Sequence, residues 1–253
     1  MPQDEFIIRL FCSIDQEMGP VKKYGDERLY ASEVVTLMVL FAIKGGKYRA
    51  FYRWISYNHR ALFPKLPEQS RLWRLFQSHQ DWCKIFLADP SMLSIIDTYG
   101  IELIHPRRED ASDSQVGRKG TSNGRWIVGV KAAFLVNHRS EIIEWAWATA
   151  NVPDNAFREM ATDYRDETVV FSDNGFRKKD CASENMCYCG HGEWNDRYMS
   201  EPMLSWMIDV FRAKHISHRT VHGVHMRIGA IAAAFNILLK MNDYKPSMTW
   251  FAL

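Results

Sequence analysis

No hydrophobic run in these 253 residues is long enough to suggest a membrane span. The longest apolar stretches, VVTLMVLFAI (34–43) and IGAIAAAFNILL (228–239), fall short of the roughly 20 residues a helix needs to cross a bilayer. Both read as buried helices. A mean hydropathy of −0.30 points the same way. The opening MPQDEF has no basic segment before an apolar one, so a secretory signal is not expected. Cysteine is scarce and odd in number: the five are Cys12, Cys83, Cys181, Cys187 and Cys189. That suits reduced thiols in a cytoplasm rather than a disulfide framework. Internal repeats and low-complexity segments are also missing.

Acidic residues are missing locally. Residues 44–60 (KGGKYRAFYRWISYNHR) hold five Lys/Arg and no Asp or Glu. Residues 117–131 (GRKGTSNGRWIVGVK) hold four, and residues 212–227 (RAKHISHRTVHGVHMR) hold four plus four histidines, again with no acid. The net charge of +2 hides this clustering. Three separate basic segments suit a polyanion such as nucleic acid, or else the solvated faces of ordinary helices.

What is present divides near Pro90. Residues 1–90 read as an all-helical region. DEFIIRLFCSIDQEM has helical apolar spacing, and YASEVVTLMVLFAIKGG starts with Ser32 as a candidate N-cap and stops at a glycine pair. KYRAFYRWISYNH then makes a basic, aromatic helix. Two helices about a short glycine turn permit a helix-turn-helix-like DNA contact. EQSRLWRLFQSHQDWCKIFLAD supplies further helix.

Beyond Pro90 the pattern predicts strands at SMLSIIDTYGIEL, RWIVGVKAAFLVN, EIIEWAWATAN, TVVFSDNGF and MCYC. It predicts a long polar loop over 105–124, a helix in PDNAFREMATDYRD, and helices near 200–214 and 222–240. The fold class is α/β, a mixed sheet flanked by helices.

Two aspartates end apolar strands: Asp97 after MLSII and Asp173 after TVVFS. A carboxylate beside a buried strand is costly unless paired or metal-bound, although DNG is also good turn chemistry. Glu201, in RYMSEPMLSW, is either a third acid or an ordinary first-turn carboxylate favoured by the helix dipole. Three hard oxygen donors suit Mg²⁺. Cys181, Cys187, Cys189 and His191 have spacing unlike a usual zinc site. The histidines from His215 to His225 lie at helical spacing with no acid or thiol among them, which suits phosphate contact or a plain helix surface.

The segment HGEWNDRYMSEPMLSWMIDVFRAKHISHRTVHGVHMRIGAIAAAFNILL resembles the pattern RGxWNxRxxxE…LSM…HR…AAFN of bacterial insertion-sequence transposases, the DDE branch of the RNase H-like superfamily. FSDNGF resembles that family's second-acid motif, IIDTYGIEL its first-acid strand, GRKGTSNGRWIVGVKAAFLVN the stretch between them, and RLYASEVVTLMVLF its N-terminal helical region. The resemblance runs in order over most of the chain. It implies an RNase H-like catalytic domain over 91–253 behind a DNA-contacting helical region over 1–90.

By that resemblance, Asp97, Asp173 and Glu201 are the catalytic triad, holding two Mg²⁺ or Mn²⁺ ions. Arg197 matches the arginine of the family's Y-xx-R-xxx-E-xxxxxx-K signature, while Trp194 stands at its tyrosine and Ile208 at its lysine. Candidate phosphate contacts are Arg197, Lys131, Arg118, Lys119, Arg219 and His218. Pro202 is tolerated if the helix starts at 200–201, where it falls in the first turn.

The implied function is transposition: metal-dependent cleavage at the element's ends and strand transfer into a target. The implied partners are double-stranded DNA, as terminal repeats and target, and a second copy of the chain on DNA, with no membrane. The implied location is cytoplasmic, on the bacterial nucleoid. The alternatives are a catalytically inactive, transposase-derived DNA-binding protein, or a metal nuclease of the same fold with no strand-transfer step.

Overall fold

A computed structural model describes residues 2–23, 28–110, 112–122, 124–178, 184–190, 205, 207, 210–214, 216–218 and 220–243. Four helices come first: α1 (Gln3–Met18), α2 (Ala31–Lys44), α3 (Tyr48–Asn58) and α4 (Gln69–Ser78), the last running into a 3-10 turn (Gln80–Phe86). Six strands follow: β1 (Leu93–Ile104), β2 (Arg118–Ser122), β3 (Arg125–Asn137), β4 (Ile142–Thr149), β5 (Val169–Asp173) and β6 (Met186–Cys189). A short helix, α5 (Arg158–Thr162), lies between β4 and β5, and the long helix α6 (Val221–Met241) follows β6.

The six strands form one mixed sheet, five of them in the order β2-β3-β1-β5-β6, with β4 paired to β3. Antiparallel β3 lies against β1 along its whole length. Its other edge is shared: β2 pairs its first half and β4 its second. β5 runs parallel to β1, and β6 parallel to β5. The fold is therefore mixed α/β, a six-stranded mixed sheet flanked by helices.

Strand alternation sorts side chains onto two faces. Ile95, Tyr99 and Ile101 of β1, with Val130, Ala132, Phe134 and Val136 of β3, enter the larger hydrophobic cluster, which also takes in α1, α2 and α6. Ile96, Ala133, Leu135 and Val170 point the other way, onto Phe157, Met160 and Ala161 beside and within α5. The helices of 1–90 and one face of the sheet thus share a core.

Helix α6 is buried over most of its length. The expected 228–239 run belongs to this 21-residue helix, which is long and apolar enough by composition to cross a membrane, yet 83% of its apolar window is covered within the molecule. Gly229 lets it approach the sheet: a β-carbon there would lie 2.9 Å from the Trp145 ring.

Two polar side chains of α6 satisfy backbone groups of its neighbours. Asn236 Oδ1 accepts from the Ile142 N–H (2.8 Å), and its amide donates to the carbonyls of Phe86 and Ile142 (2.8 Å each). Arg227 donates to the carbonyls of Phe41 and Ala42, at the end of α2, and to that of Phe211. The last carbonyls of a helix have no partner within it and carry its negative dipole end, so a buried cation is at home there.

Two expectations change. Ser32 is not the cap of α2: the helix starts at Ala31, and Glu33 turns back to accept from the Tyr30 N–H (2.7 Å). The supposed loop over 105–124 contains β2, a polar strand pairing Arg118–Ser122 with the start of β3. The predicted helix start at 200–201 lies outside the described residues, as do Glu201 and Pro202; Ser205 and Met207 are helical.

Replacing Asn236 with Ala leaves the Ile142 N–H and the Phe86 carbonyl buried without this partner. At about 1–3 kcal/mol for each orphaned group, unfolding in urea should show a loss of about 2–5 kcal/mol. A midpoint unchanged from wild type would contradict this role.

Candidate active site at the end of the parallel strands

Asp97 lies midway along β1 and is 8% exposed. Asp173 is the last residue of β5. The parallel register pairs Leu93 with Val169, Ser94 with Val170 and Ile95 with Phe171. The pairing ends there; continued two residues further, the same register would set Asp97 level with Asp173. Antiparallel pairing puts Phe134 on the other side of Asp97, and Cys189 pairs with Asp173. By alternation Asp97 shares the face of Ile95 and Tyr99, and Asp173 shares that of Phe171, which packs on the same cluster. Alternation therefore assigns both carboxylates to the face on which the larger cluster packs.

Backbone groups hold both. Asp97 Oδ1 accepts from the Thr98 N–H (2.7 Å). Asp173 Oδ1 accepts from the Gly175 N–H (2.9 Å), closing the 3-10 turn Asn174–Phe176. The turn-capping role that DNG suggests is thus realised at Asp173 alongside its place at the end of β5.

A third acid near these strands was not singled out from the sequence. Asp154 starts the 3-10 turn before α5. Its Oδ1 accepts from Thr98 Oγ1 (2.7 Å) and lies 3.0 Å from Lys131 Nζ. Lys131 also donates to the Val152 carbonyl (3.0 Å). A β-carbon on Gly175 would lie 2.9 Å from Asp173 Oδ1 and 3.0 Å from Asp154 Oδ2, so glycine is what allows the turn to sit between these carboxylates. Asp154 thus ties β1 to β3 beside Asp97 and Asp173. In the sequence it reads only as a helix-start residue after a proline; no spacing connects it to Thr98.

The candidate phosphate contacts take different positions. Lys131 is only 13% exposed and belongs to the Asp154 pair. Arg118 and Lys119 project from β2 as exposed or half-exposed cations, 3.7 Å from Asp110 and 3.6 Å from Glu109 respectively, with Lys119 over the Trp126 ring. Arg197, Arg219 and Glu201 lie outside the described residues.

His218 is partly buried. Its ring stacks on Trp73 (4.9 Å between centroids) and meets Phe41 edge-on, and its Nε2 is buried with no hydrogen-bond partner. Burial, and then the Arg227 charge, push its pKa down to about 4. It is a neutral packing residue rather than an exposed phosphate contact. His225 packs on Trp145, accepts from the Trp147 indole N–H (3.3 Å), and is likewise shifted down by burial.

Among the described residues, no group of three His, Cys, Asp or Glu side chains is close enough to hold a metal ion. Asp97 and Asp173 offer a pair of hard oxygen ligands. One or two carboxylates with retained water is a normal Mg²⁺ donor set.

His218 makes a pH prediction. Its folded pKa, about 4, lies below the ordinary 6.5. Between these values the unfolded chain binds the proton and the folded chain does not. The stability due to this residue is complete above pH 6.5 and is lost as the pH falls towards 4, by up to about 3 kcal/mol. In His218→Phe the urea midpoint should fall less than in wild type over that window; an equal fall would contradict the assignment. Comparisons of the chain with protein-family models, with curated proteins and with solved structures find no match.

Proposed function

We propose that the chain is a DNA transposase of an insertion sequence. It would cut DNA strands at the element's ends and join them to a target in a reaction dependent on Mg²⁺ or Mn²⁺, held by Asp97, Asp173 and Glu201. The observation that carries this reading is the register: two aspartates, 76 positions apart in the sequence, lie on adjacent parallel strands, each two residues beyond the paired Ile95 and Phe171. The mixed sheet with helices on its faces accords with the RNase H-like fold that the resemblance implies. The ordered motifs from IIDTYG to AAFN supply the reaction class.

Bound divalent ions would supply Lewis-acid stabilisation of charge on the phosphate and a more acidic bound water or 3′-hydroxyl. The rest falls to the chain. Thr98 and Gly175 N–H groups each fix one oxygen of their aspartate. That limits the reorganisation needed when the carboxylates take a ligand, and preorganised groups act at least cost. The Asp154–Lys131 pair, bonded to Thr98, keeps the strand carrying Asp97 in position. Arg118 and Lys119 on the edge strand β2 are suited to backbone phosphates, which position a duplex without reading its sequence. No nucleophilic side chain is required, because water and then the freed 3′-hydroxyl attack phosphorus.

One observation favours the non-catalytic alternative, a transposase-derived DNA-binding protein. Asp173 already has an ordinary structural task in the Gly175 turn. The two readings separate in a cleavage assay on DNA carrying the sequences that flank the gene. For the enzyme, Asp97→Asn and Asp173→Asn should each lower Mn²⁺-dependent cleavage by about a thousandfold or more, in line with the loss of several kcal/mol of metal-held charge stabilisation. DNA binding in EDTA should persist. Full cleavage by either variant would exclude the assigned site, and wild-type binding without cleavage would support the alternative.

A further inference from the structure

A cavity of about 370 Å³ opens between the chain before α2 and one side of α4. Arg28 lines it from one segment, and Arg71 and Arg74 from α4; Glu68, His79 and the apolar Leu29, Pro67 and Leu75 complete the wall. Arg71 and Arg74 are three residues apart, so they share a helix face. Among the described residues, none of the three guanidinium groups is paired with a carboxylate, and Glu68 is the one carboxylate lining the space. Like charges gathered around a concavity repel each other and raise its affinity for an anion. Planar guanidinium forks match phosphate oxygens in pairs. The volume is at the low end of the range for small-ligand sites, so the feature is a recess rather than a flat patch.

The recess adjoins a second basic surface. Tyr48 and Tyr52 of α3 donate to the carbonyls of Gln69 (2.6 Å) and Pro67 (2.9 Å), at the start of α4. The adjacent face of α3 exposes Arg49 and Arg53. The tyrosine contacts hold that helix against the same end of α4 that lines the cavity. The basic runs of the sequence do not include Arg28, Arg71 or Arg74, since these come from two segments each diluted by acids and apolar residues.

We infer that this recess is a phosphate-binding site formed by Arg28, Arg71 and Arg74. Its ligand is a phosphate of the DNA backbone or of a free phosphorylated small molecule. The inference rests on the DNA-acting reading only for the polymer as a possible source; the phosphate chemistry is independent of Asp97 and Asp173.

The test titrates the full chain with pyrophosphate, by calorimetry, and with labelled duplex DNA at several salt concentrations. Wild type is compared with Arg71→Gln/Arg74→Gln, with Arg28→Gln from the other wall, and with Asp97→Asn. Losing charge-assisted hydrogen bonds worth about 1.5–3 kcal/mol each should weaken the affected ligand by roughly tenfold or more. If the ligand is DNA, the log–log salt slope of the double variant should fall by about 2, and pyrophosphate should compete. If it is a free phosphate compound, pyrophosphate binding should weaken while DNA binding holds. Wild-type affinity for both ligands in both arginine variants would overturn the inference, as would a wild-type chain that binds neither. Loss of cleavage in Asp97→Asn with intact arginine effects, or the reverse, separates this site from the metal site.

Discussion

Parallel strands that carry a site allow no slip of one residue, because a slip moves every side chain to the opposite face. The pairing of Leu93, Ser94 and Ile95 with Val169, Val170 and Phe171 is therefore the constraint on which the site depends. It is held on both sides of the start of the short strand β5. Thr168 Oγ1 donates to Ser94 Oγ (2.8 Å) within the core, and the Val169 N–H reaches the Met92 carbonyl (3.0 Å). On the other side, the Asn185 carbonyl accepts from the Val170 N–H (2.7 Å), while its side chain donates to the carbonyls of Ala161 and Thr168. Shifted by one position, Asp173 would face α5 and Val170 would lose the cluster it shares with Ile96.

The same face needs a cover, and α6 provides one at a polar cost that the helix itself meets. A helix with an apolar surface could bury the sheet but could not satisfy the chain ends it covers. Arg227 and Asn236 answer this need, the first at the end of α2 and the second where the Gln80–Phe86 turn meets β4. Burial lowers the Arg227 pKa to about 10, which leaves it charged at neutral pH, over the Phe41 ring and against carbonyl oxygens. The helical region and the sheet are thus joined by directed bonds as well as by apolar packing.

Much of this was legible in the residues. β1, β3, β4 and β5 show as apolar or alternating runs because each is buried on at least one face, and the glycines after Lys44 mark the end of α2. β2 did not show, since RKGTS is a polar edge strand whose pairing leaves no hydrophobic period. The acids at Asp97 and Asp173 stood out as charges against apolar runs, but their alignment is a property of register, which no local pattern encodes. Charge counting over 212–227 carries no direction: His218 and Arg227 turn inward, one onto Trp73 and the other onto α2. Asp154 and the three cavity arginines were missed for a related reason, being assembled from segments distant in sequence.

The central claim is that Asp97 and Asp173 act together as ligands of a divalent ion. Anomalous scattering from crystals grown with Mn²⁺ tests it most directly. The account predicts a manganese peak within bonding distance of both carboxylates, about 2.0–2.2 Å for a hard, oxygen-bound dication of this size, with the peak absent in crystals of Asp97→Asn/Asp173→Asn. Manganese bound elsewhere, with both aspartates left to their Thr98 and Gly175 contacts, would contradict it.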